Sequence, residues 1–389
     1  MTPKTKSRLL IVGVNVCRLL LAGTFIFSGF VKANDPLGTV YKLEDYMRAM
    51  AWFTLPDTFL LGCAVILACF EFLLGVCILS GMKRRTMSGV TLIFMVLMTL
   101  LTVYIAIANP VEDCGCFGDV LILSNGATLA KNVVLLGAAV LVSRYYRFQK
   151  DFLNASVKWL IAFASLCFIV GYAIYCIVCL PVLDFRPYKV GTNLREAVTA
   201  TQQQFDVAII YEKNGQTLEL SAEDDDPDST WTYVETRRRE VGVQDLATAD
   251  FYVENDDKED ITEDILYADG YTFLLVIPDL MHADEGCVDK VNEVYDYARE
   301  HGYDFYCLTS SDSQRAQTYW SDHTGAEYGY CIAEERMLKT VVRGHPGMVL
   351  LHDGVIVKKW SNYNLPGEEE LNEQITKHNH KKFNSLKSN

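Results

Sequence analysis

Basic residues are scarce in this chain. Its 389 residues include 35 lysines and arginines against 49 aspartates and glutamates, a formal net charge of −14. Nucleic-acid binding needs a basic face, so this balance argues against a nucleic-acid partner.

The first apolar run lacks an obvious small-residue cleavage site, so we expect it to be retained as a membrane span and not removed as a signal peptide. No broken-helix pair or inverted repeat is visible, which disfavours a transporter.

The sequence divides near Pro181 into an apolar half and an acidic half. Half of all residues are hydrophobic, yet 22% are charged. The apolar half holds five runs that approach or exceed the roughly 20 residues needed to cross a bilayer. These runs predict an all-α bundle of five transmembrane helices, at about residues 9–31, 58–80, 87–108, 127–143 and 157–180.

Positive residues predict the orientation of the bundle, because loops rich in Lys and Arg stay in the cytoplasm. Three basic clusters fall on alternate loops, and therefore on the same side of the membrane. This pattern places the amino terminus in the cytoplasm and the carboxyl-terminal domain outside it. The clusters are Lys4, Lys6 and Arg8; Lys83, Arg84 and Arg85; and Arg144, Arg147, Lys150 and Lys158.

The loop between the third and fourth runs has the sequence DCGCFGD, residues 113–119. By the orientation above it lies on the outer side of the membrane, with the carboxyl-terminal domain. A disulfide between Cys114 and Cys116 would close a small, strained ring, and strained exposed disulfides are the labile ones. Redox exchange is therefore the favoured interpretation. Structural bonding in an oxidising compartment and metal ligation remain open, but no His lies nearby and no metal site is predicted.

Two charged residues lie inside predicted spans, Arg18 in the first and Glu71 in the second. Counted from the cytoplasmic ends of their helices, each lies on the order of 15 Å deep, so we expect them to meet. Intramembrane charges usually face a bundle interior or a cavity. A structural ion pair is one interpretation. The other is a polar pocket for a proton path or for the headgroup of a quinone, the one cofactor considered.

The fifth run ends with a second cysteine pair, Cys176 and Cys179. A spacing of three places both on one helix face near the outer surface, where a relay partner for Cys114 and Cys116 would have to be. Two packed core thiols are the alternative.

Residues 8–145 resemble the DoxX/MauE family of bacterial membrane proteins. The resemblance rests on Arg18, a Ser-Gly-Phe-x-Lys sequence at residues 28–32, Glu71 and the Cys-Gly-Cys-Phe-Gly loop. It implies a four-helix domain associated with redox chemistry of the cell envelope. The MauE branch implies disulfide handling during maturation of a partner enzyme, with its cysteines matching Cys114 and Cys116.

The acidic half begins with alternating sequence. Residues 205–220 predict a β-hairpin with an Asn-Gly turn at 214–215, followed by an acidic loop at 223–228 and a further strand at 229–234. Residues 271–376 then run strand, helix, strand, helix, and later a proline, a hairpin and a closing helix. This order resembles thioredoxin-like domains of the peroxiredoxin and TlpA type, and it implies that Pro346 is the cis-proline of that fold.

The resemblance to thioredoxin-like domains does not extend to the whole active-site motif. Cys287 falls at the second position of the family's C-x-x-C, and Asp284 occupies the first, where the attacking thiolate would sit. We therefore predict a degenerate binding module. A mixed disulfide from Cys287 to Cys114 or Cys116 is the alternative role for this domain.

The predicted architecture is a membrane all-α helical bundle followed by a soluble α/β domain with a β-rich extension. Its parts are a four-helix domain at 1–150, a fifth transmembrane helix at 151–181, a periplasmic connector and β-rich segment at 182–270, and a thioredoxin-like domain at 271–389. The favoured function is thiol-disulfide or quinone-linked redox chemistry in the envelope, with a periplasmic client protein or envelope complex as partner. The competing function is a non-enzymatic assembly or scaffold subunit with structural cysteines.

Overall fold

The structure is a computed structural model in which the chain forms two compact units, Met1–Phe185 and Arg186–Asn389. Three sequence features lie outside the described residues: Asp113, the Asn-Gly turn at 214–215 and the acidic loop at 223–228. The residues that the structure describes are 3–50, 55–111, 114–150, 153–196, 198, 205–213, 216–221, 231–240, 251–325 and 327–388.

The first unit is a helical bundle. Five of its helices are long and apolar enough to cross a membrane, which confirms the five predicted spans and defines a multi-pass membrane protein. A sixth, amphipathic helix begins at Pro36, where Asp35 accepts a hydrogen bond from the backbone of Gly38 at 2.9 Å. The helices are α1 (Pro3–Asn34), α2 (Pro36–Ala49), α3 (Asp57–Ser80), α4 (Arg84–Ala108), α5 (Asn125–Arg144) and α6 (Ala155–Cys179).

Helices α1 and α3 approach each other so closely that only glycine fits at two positions. A Cβ atom on Gly29 would lie 2.4 Å from the backbone nitrogen of Phe72, and one on Gly75 would lie 2.7 Å from that of Ile26. Rising residue numbers in α1 therefore meet falling numbers in α3, so the two helices are antiparallel. Side chains from α1, α3, α4 and α5 fill one apolar core, and α6 packs on α1 and α3 in another.

The described residues of the second unit form two sheets. A three-stranded antiparallel sheet has the order β2-β1-β3, and its β1–β2 pairing confirms the predicted hairpin. A six-stranded mixed sheet has the order β4-β7-β6-β5-β8-β9. The strands are β1 (Phe205–Lys213), β2 (Gln216–Ser221), β3 (Thr232–Glu240), β4 (Val253–Glu254), β5 (Tyr271–Ile277), β6 (Asp304–Thr309), β7 (Tyr330–Ala333), β8 (Gly347–His352) and β9 (Val355–Ser361).

Strand β5 lies in the interior of the larger sheet, and all seven of its residues are buried. It pairs in parallel with β6 and antiparallel with β8. Such a continuous apolar run is typical of a strand covered on both faces. The peptide bond between His345 and Pro346, which leads into β8, is cis as predicted. The helices of this unit are α7 (Thr262–Tyr267), α8 (Val288–Glu300), α9 (Gln314–Thr324), α10 (Glu335–Val341) and α11 (Glu368–Ser388).

Candidate functional site

The loop between α4 and α5 that carries Cys114 and Cys116 is tightly turned. Gly115 and Gly118 have φ angles of +63° and +52°, a left-handed conformation that favours glycine. The amide of Gly118 donates to the carbonyl of Gly115 at 3.1 Å, which closes the turn. A Cβ atom on Gly115 would also meet the Lys42 side chain at 3.0 Å. The glycines therefore let the two cysteines lie next to each other on a compact loop.

Three side chains from α1 and α2 hold the backbone of this loop. The Ser28 hydroxyl and the Lys32 ammonium both donate to the carbonyl oxygen of Cys116, at 2.8 Å and 2.9 Å. The Tyr46 hydroxyl donates to the carbonyl oxygen of Cys114 at 2.9 Å. The loop is therefore fixed to the end of the bundle at both cysteines.

Lys32 supplies the positive charge among the side chains that hold the cysteine loop. Its Nζ lies 2.8 Å from Oε2 of Glu71, and the two side chains are only 7% and 6% exposed. It also donates to the Ser28 hydroxyl at 2.7 Å. With Glu71, Ser28 and the Cys116 carbonyl as acceptors, the ammonium has one partner for each of its three N–H groups. A buried charge pair persists only with such complete hydrogen bonding.

This geometry explains the Ser-Gly-Phe-x-Lys sequence at residues 28–32. Ser28 and Lys32, one turn apart, reach the same carbonyl, and Gly29 lets α3 approach close enough to present Glu71. Phe30 stacks on Tyr172 of α6 with ring centroids 5.0 Å apart. In the sequence this motif contributed to the family resemblance, but no role was predicted for Lys32. The available signal was a lysine at the end of an apolar helix on the same side as the cysteine loop.

The expected contact between Arg18 and Glu71 is wrong. Arg18 donates to the carbonyls of Ile78 and Leu79 at the end of α3, at 2.7 Å and 2.5 Å, and to that of Lys150 at 2.6 Å. It therefore caps the carboxyl end of α3, where unpaired carbonyls and the helix dipole attract a cation. Glu71 lies seven residues before Ile78 in α3, which places it roughly 10 Å away along the helix axis. The two helices end at different depths, so equal residue counts did not give equal depths.

The two thiols differ sharply in acidity. Hydrogen bonding from Cys116 lowers the pKa of Cys114 to about 6, although burial opposes this, and Lys131 and Thr128 of α5 add to the lowering. The pKa of Cys116 is raised, first by its hydrogen bond with Cys114, then by burial and by repulsion from the Cys114 thiolate. Lys131 also lies over the Phe117 ring, with Nζ 4.1 Å from the centroid. Cys114 is therefore the thiolate of the pair near neutral pH, and Cys116 keeps its proton.

This arrangement is chemically suited to nucleophilic attack by one thiolate with a second thiol beside it. Both cysteines are free thiols in the structure and are partly exposed. Within the described parts of the chain, no group of three or more His, Cys, Asp or Glu side chains is arranged to hold a metal ion. The loop thus presents two adjacent thiols of different acidity.

The second cysteine pair lies at the end of α6. Cys176 is buried and Cys179 is half-buried. Helix α6 packs on α1 and α3, whereas the Cys114–Cys116 loop is held by α1, α2 and α5. A relay from Cys176 and Cys179 to the loop stays a prediction.

In the second unit, Cys287 directly precedes α8 and is buried. Burial, followed by the nearby Asp284 carboxylate, raises its pKa to about 12. Asp284 lies beside the cis-proline turn: its amide donates to the carbonyl of His345 at 3.0 Å, and its Oδ2 accepts from Asn362 at 2.7 Å. Asp284 therefore occupies the exposed position next to Pro346, and Cys287 is a protonated thiol beneath it.

The two units together define a class of protein: a multi-pass membrane protein with a cysteine pair at one end of its bundle and a mixed α/β domain in the same chain. Residues 10–144 match the sequence model of the family described as Methylamine utilisation protein MauE. The match covers α1 to α5 with the cysteine loop, and it ends before α6. No curated protein and no solved structure matches the chain.

Proposed function

We propose that this chain is a thiol-disulfide exchange protein of the bacterial inner membrane, with Cys114 as the entering thiol and Cys116 as the resolving thiol. The observation that carries the proposal is the pair of free thiols at Cys114 and Cys116, held side by side on a loop whose backbone is anchored at both cysteines. A thiolate of pKa about 6 is about nine-tenths deprotonated at pH 7. Its attack on a disulfide needs no separate base.

The exchange balances with a client protein disulfide as the oxidant. The Cys114 thiolate attacks one client sulfur, an S–S bond forms, and the other client sulfur leaves as a thiolate that takes a proton from water. Cys116 then loses its proton and attacks the Cys114 sulfur, which releases the second client thiolate. Two electrons pass from the loop to the client. In reverse, the Cys114–Cys116 disulfide oxidises a client dithiol.

Contacts between the basic loops support a periplasmic position for the cysteines. Arg84 donates to the carbonyl of Gln149 at 2.5 Å, and Lys158 donates to that of Gly81 at 3.5 Å. The second and third basic clusters thus meet at one end of the bundle. The cysteine loop contacts the other end of α1, at Ser28 and Lys32. With the basic end in the cytoplasm, the loop faces an oxidising compartment.

The second unit supports a client-binding role. Its core runs strand β5, helix α8 and strand β6, followed by the cis His345–Pro346 bond, the β8–β9 hairpin and α11. This order is that of a thioredoxin-like fold, the finer assignment that we propose for this unit. With Asp284 at the entering position and Cys287 buried, the unit would dock a client without exchanging thiols itself.

The quinone interpretation receives no support from the geometry. It required a polar pocket shared by Arg18 and Glu71. Arg18 donates to helix-end carbonyls, and Glu71 pairs with Lys32. We therefore propose direct thiol-disulfide exchange only.

The test is differential alkylation of intact cells with and without reductant, followed by mass mapping, together with a Cys114→Ser/Cys116→Ser variant. We expect Cys114 and Cys116 to be labelled by a membrane-impermeant reagent only after mild reduction, and the double variant to lose client exchange. A Cys167→Ser variant is the matched control, since Cys167 is exposed on α6 away from the loop. Unchanged client oxidation in the double variant would contradict exchange and favour the scaffold function.

A further inference from the structure

The backbones of the two cysteines of the loop are anchored to different helices. The carbonyl of Cys116 accepts two hydrogen bonds from α1, one of them from the buried Lys32 ammonium. The carbonyl of Cys114 accepts one, from the Tyr46 hydroxyl on α2. Lys32 is in turn fixed by Glu71 of α3. Ser28, Lys32 and Glu71 thus form a polar cluster, the Cys116 anchor, that ties the second cysteine to the two most closely packed helices.

We propose that the Cys116 anchor is a positioning device for the resolving step of thiol exchange. This inference rests on the proposed function and adds a role for three residues to which the exchange chemistry itself assigns none. Lys32 does not touch the client; it acts through the backbone of Cys116. Glu71 and Ser28 hold Lys32 at the end of α1.

The physical reason lies in the geometry of resolution. The Cys116 sulfur must reach the Cys114 sulfur across a single glycine, in line with the departing client sulfur. A left-handed Gly115 turns the chain to bring the two thiols together, and a loop free to relax would lose that alignment. Misplacement of reacting groups by about 1 Å costs up to roughly 100-fold in rate. Anchoring the backbone of the resolving cysteine therefore favours the resolving step.

Charge contributes in the same direction. The largest cause that keeps Cys116 protonated is its hydrogen bond with Cys114, and the Cys114 thiolate adds repulsion. Both causes vanish once Cys114 is bonded to a client sulfur. Burial then remains, opposed by the cations Lys131 and Lys32, which favour the Cys116 thiolate. Lys32 therefore both places the resolving sulfur and helps it ionise at the moment it must attack.

The experiment separates the two steps with 5,5′-dithiobis(2-nitrobenzoate) on the reduced full chain in detergent. Attack by Cys114 releases one coloured thiolate, and resolution by Cys116 releases a second. Subtracting the trace of the Cys114→Ser/Cys116→Ser protein removes the other cysteines. Lys32→Met should slow the second phase roughly 10- to 100-fold and leave the first within about twofold, because it removes both the anchor and the cation. Lys32→Arg should restore part of the second-phase rate.

A second, milder variant tests the same role in case Lys32→Met does not fold. Ser28→Ala deletes one hydrogen bond to the Cys116 carbonyl and should slow the second phase about threefold. Thr24→Ala is the matched control: its hydroxyl donates to the carbonyl of Leu20 on the same helix, away from the loop. It should leave both phases unchanged.

The outcomes distinguish the two proposals. If the wild-type protein shows no release attributable to Cys114 and Cys116, the proposed function fails. If the wild-type protein shows both phases but Ser28→Ala and a folded Lys32→Met match it, only the positioning role is overturned. Equal slowing of both phases, or equal slowing by Thr24→Ala, would also overturn it, since general loosening of the bundle would then explain the effect.

Discussion

Two cysteines in this chain lie beside the first turns of helices and have opposite chemistry. Cys114 is close to Thr128 in the first turns of α5, and Cys287 directly precedes α8. The helix dipole favours a thiolate at both places. Yet the pKa of Cys114 is lowered to about 6 and that of Cys287 is raised to about 12. The difference lies in the neighbours: a thiol donor, a hydroxyl and a lysine surround Cys114, whereas burial and a carboxylate surround Cys287.

The comparison teaches that proximity to a helix amino terminus does not by itself make a thiol reactive. The dipole contributes roughly 0.3–1 kcal/mol near a surface, while one pKa unit corresponds to about 1.4 kcal/mol. Direct hydrogen bonds and desolvation therefore decide the outcome. In this chain they favour the thiolate of Cys114 in the membrane unit and disfavour that of Cys287 in the second unit.

The largest expected effect is the difference between the alkylation rates of Cys114 and Cys287. At pH 7 the thiolate fractions differ by roughly 10⁵, and allowing for the lower nucleophilicity of acidic thiolates we expect Cys114 to react at least about 10³-fold faster than Cys287. Iodoacetamide time courses on the reduced folded protein, read by peptide mass spectrometry, measure the ratio. Comparable rates would contradict the assigned neighbours of both thiols.

The next effect is the pH profile of Cys114. Below its pKa of about 6 the thiol is protonated and slow, and above it the thiolate reacts, so the rate should rise with a midpoint near pH 6. Cys116→Ala removes the largest cause of the lowering and should move the midpoint toward the ordinary value of about 8.5, with a roughly tenfold slower reaction at pH 7.

Cys116→Ser is the matched control for that shift. Its hydroxyl can still donate to Cys114, so its midpoint should fall between those of the wild-type protein and Cys116→Ala. An unshifted midpoint in Cys116→Ala would show that the thiol pair does not set the acidity of Cys114.

A smaller effect is expected at Cys287. Asp284→Asn removes the nearby negative charge and should lower the pKa of Cys287, while burial, the larger cause, continues to hold it high. Alkylation of Cys287 at pH 9 should therefore increase only about threefold. An increase of 100-fold or more would mean that charge, and not burial, suppresses this thiol.

The smallest effect is expected from Lys131→Met. Lys131 is a later contributor to the lowered pKa of Cys114, so its loss should slow alkylation at pH 6 by about twofold. Lys131→Arg keeps the cation and should match the wild-type rate. A larger loss with Lys131→Met would place Lys131, and not Cys116, first among the groups that stabilise the thiolate.

Much of the fold was predictable because its signals are local. Five apolar runs gave five helices, alternation around residues 205–220 gave a hairpin, and the order of elements around Pro346 placed a cis peptide bond. The cysteine loop also stood out in the sequence as a candidate site, since two cysteines around one glycine are unusual in a short polar connection. Each of these patterns follows from the period or the backbone preference of neighbouring residues.

The polar partners inside the bundle were not predictable. Residue counts predicted a contact between Arg18 and Glu71. Because α1 and α3 are staggered along their axes, Arg18 instead donates to carbonyls at the end of α3, and Glu71 pairs with Lys32. Thr128 and Lys131 carry no motif, and only the packing of α5 brings them to Cys114. Partners in a helical bundle depend on axial register, which composition does not encode.

The sequence by itself determined that the chain crosses a membrane, where its cysteine loop lies along the chain, and which strands follow which helices. The tertiary structure alone decided which thiol is acidic and which cation anchors the loop. The reason is physical: hydrophobic runs and turn residues act over a few neighbours, whereas the pKa of Cys114 and the partners of Lys32 depend on groups that folding brings together from α1, α3 and α5.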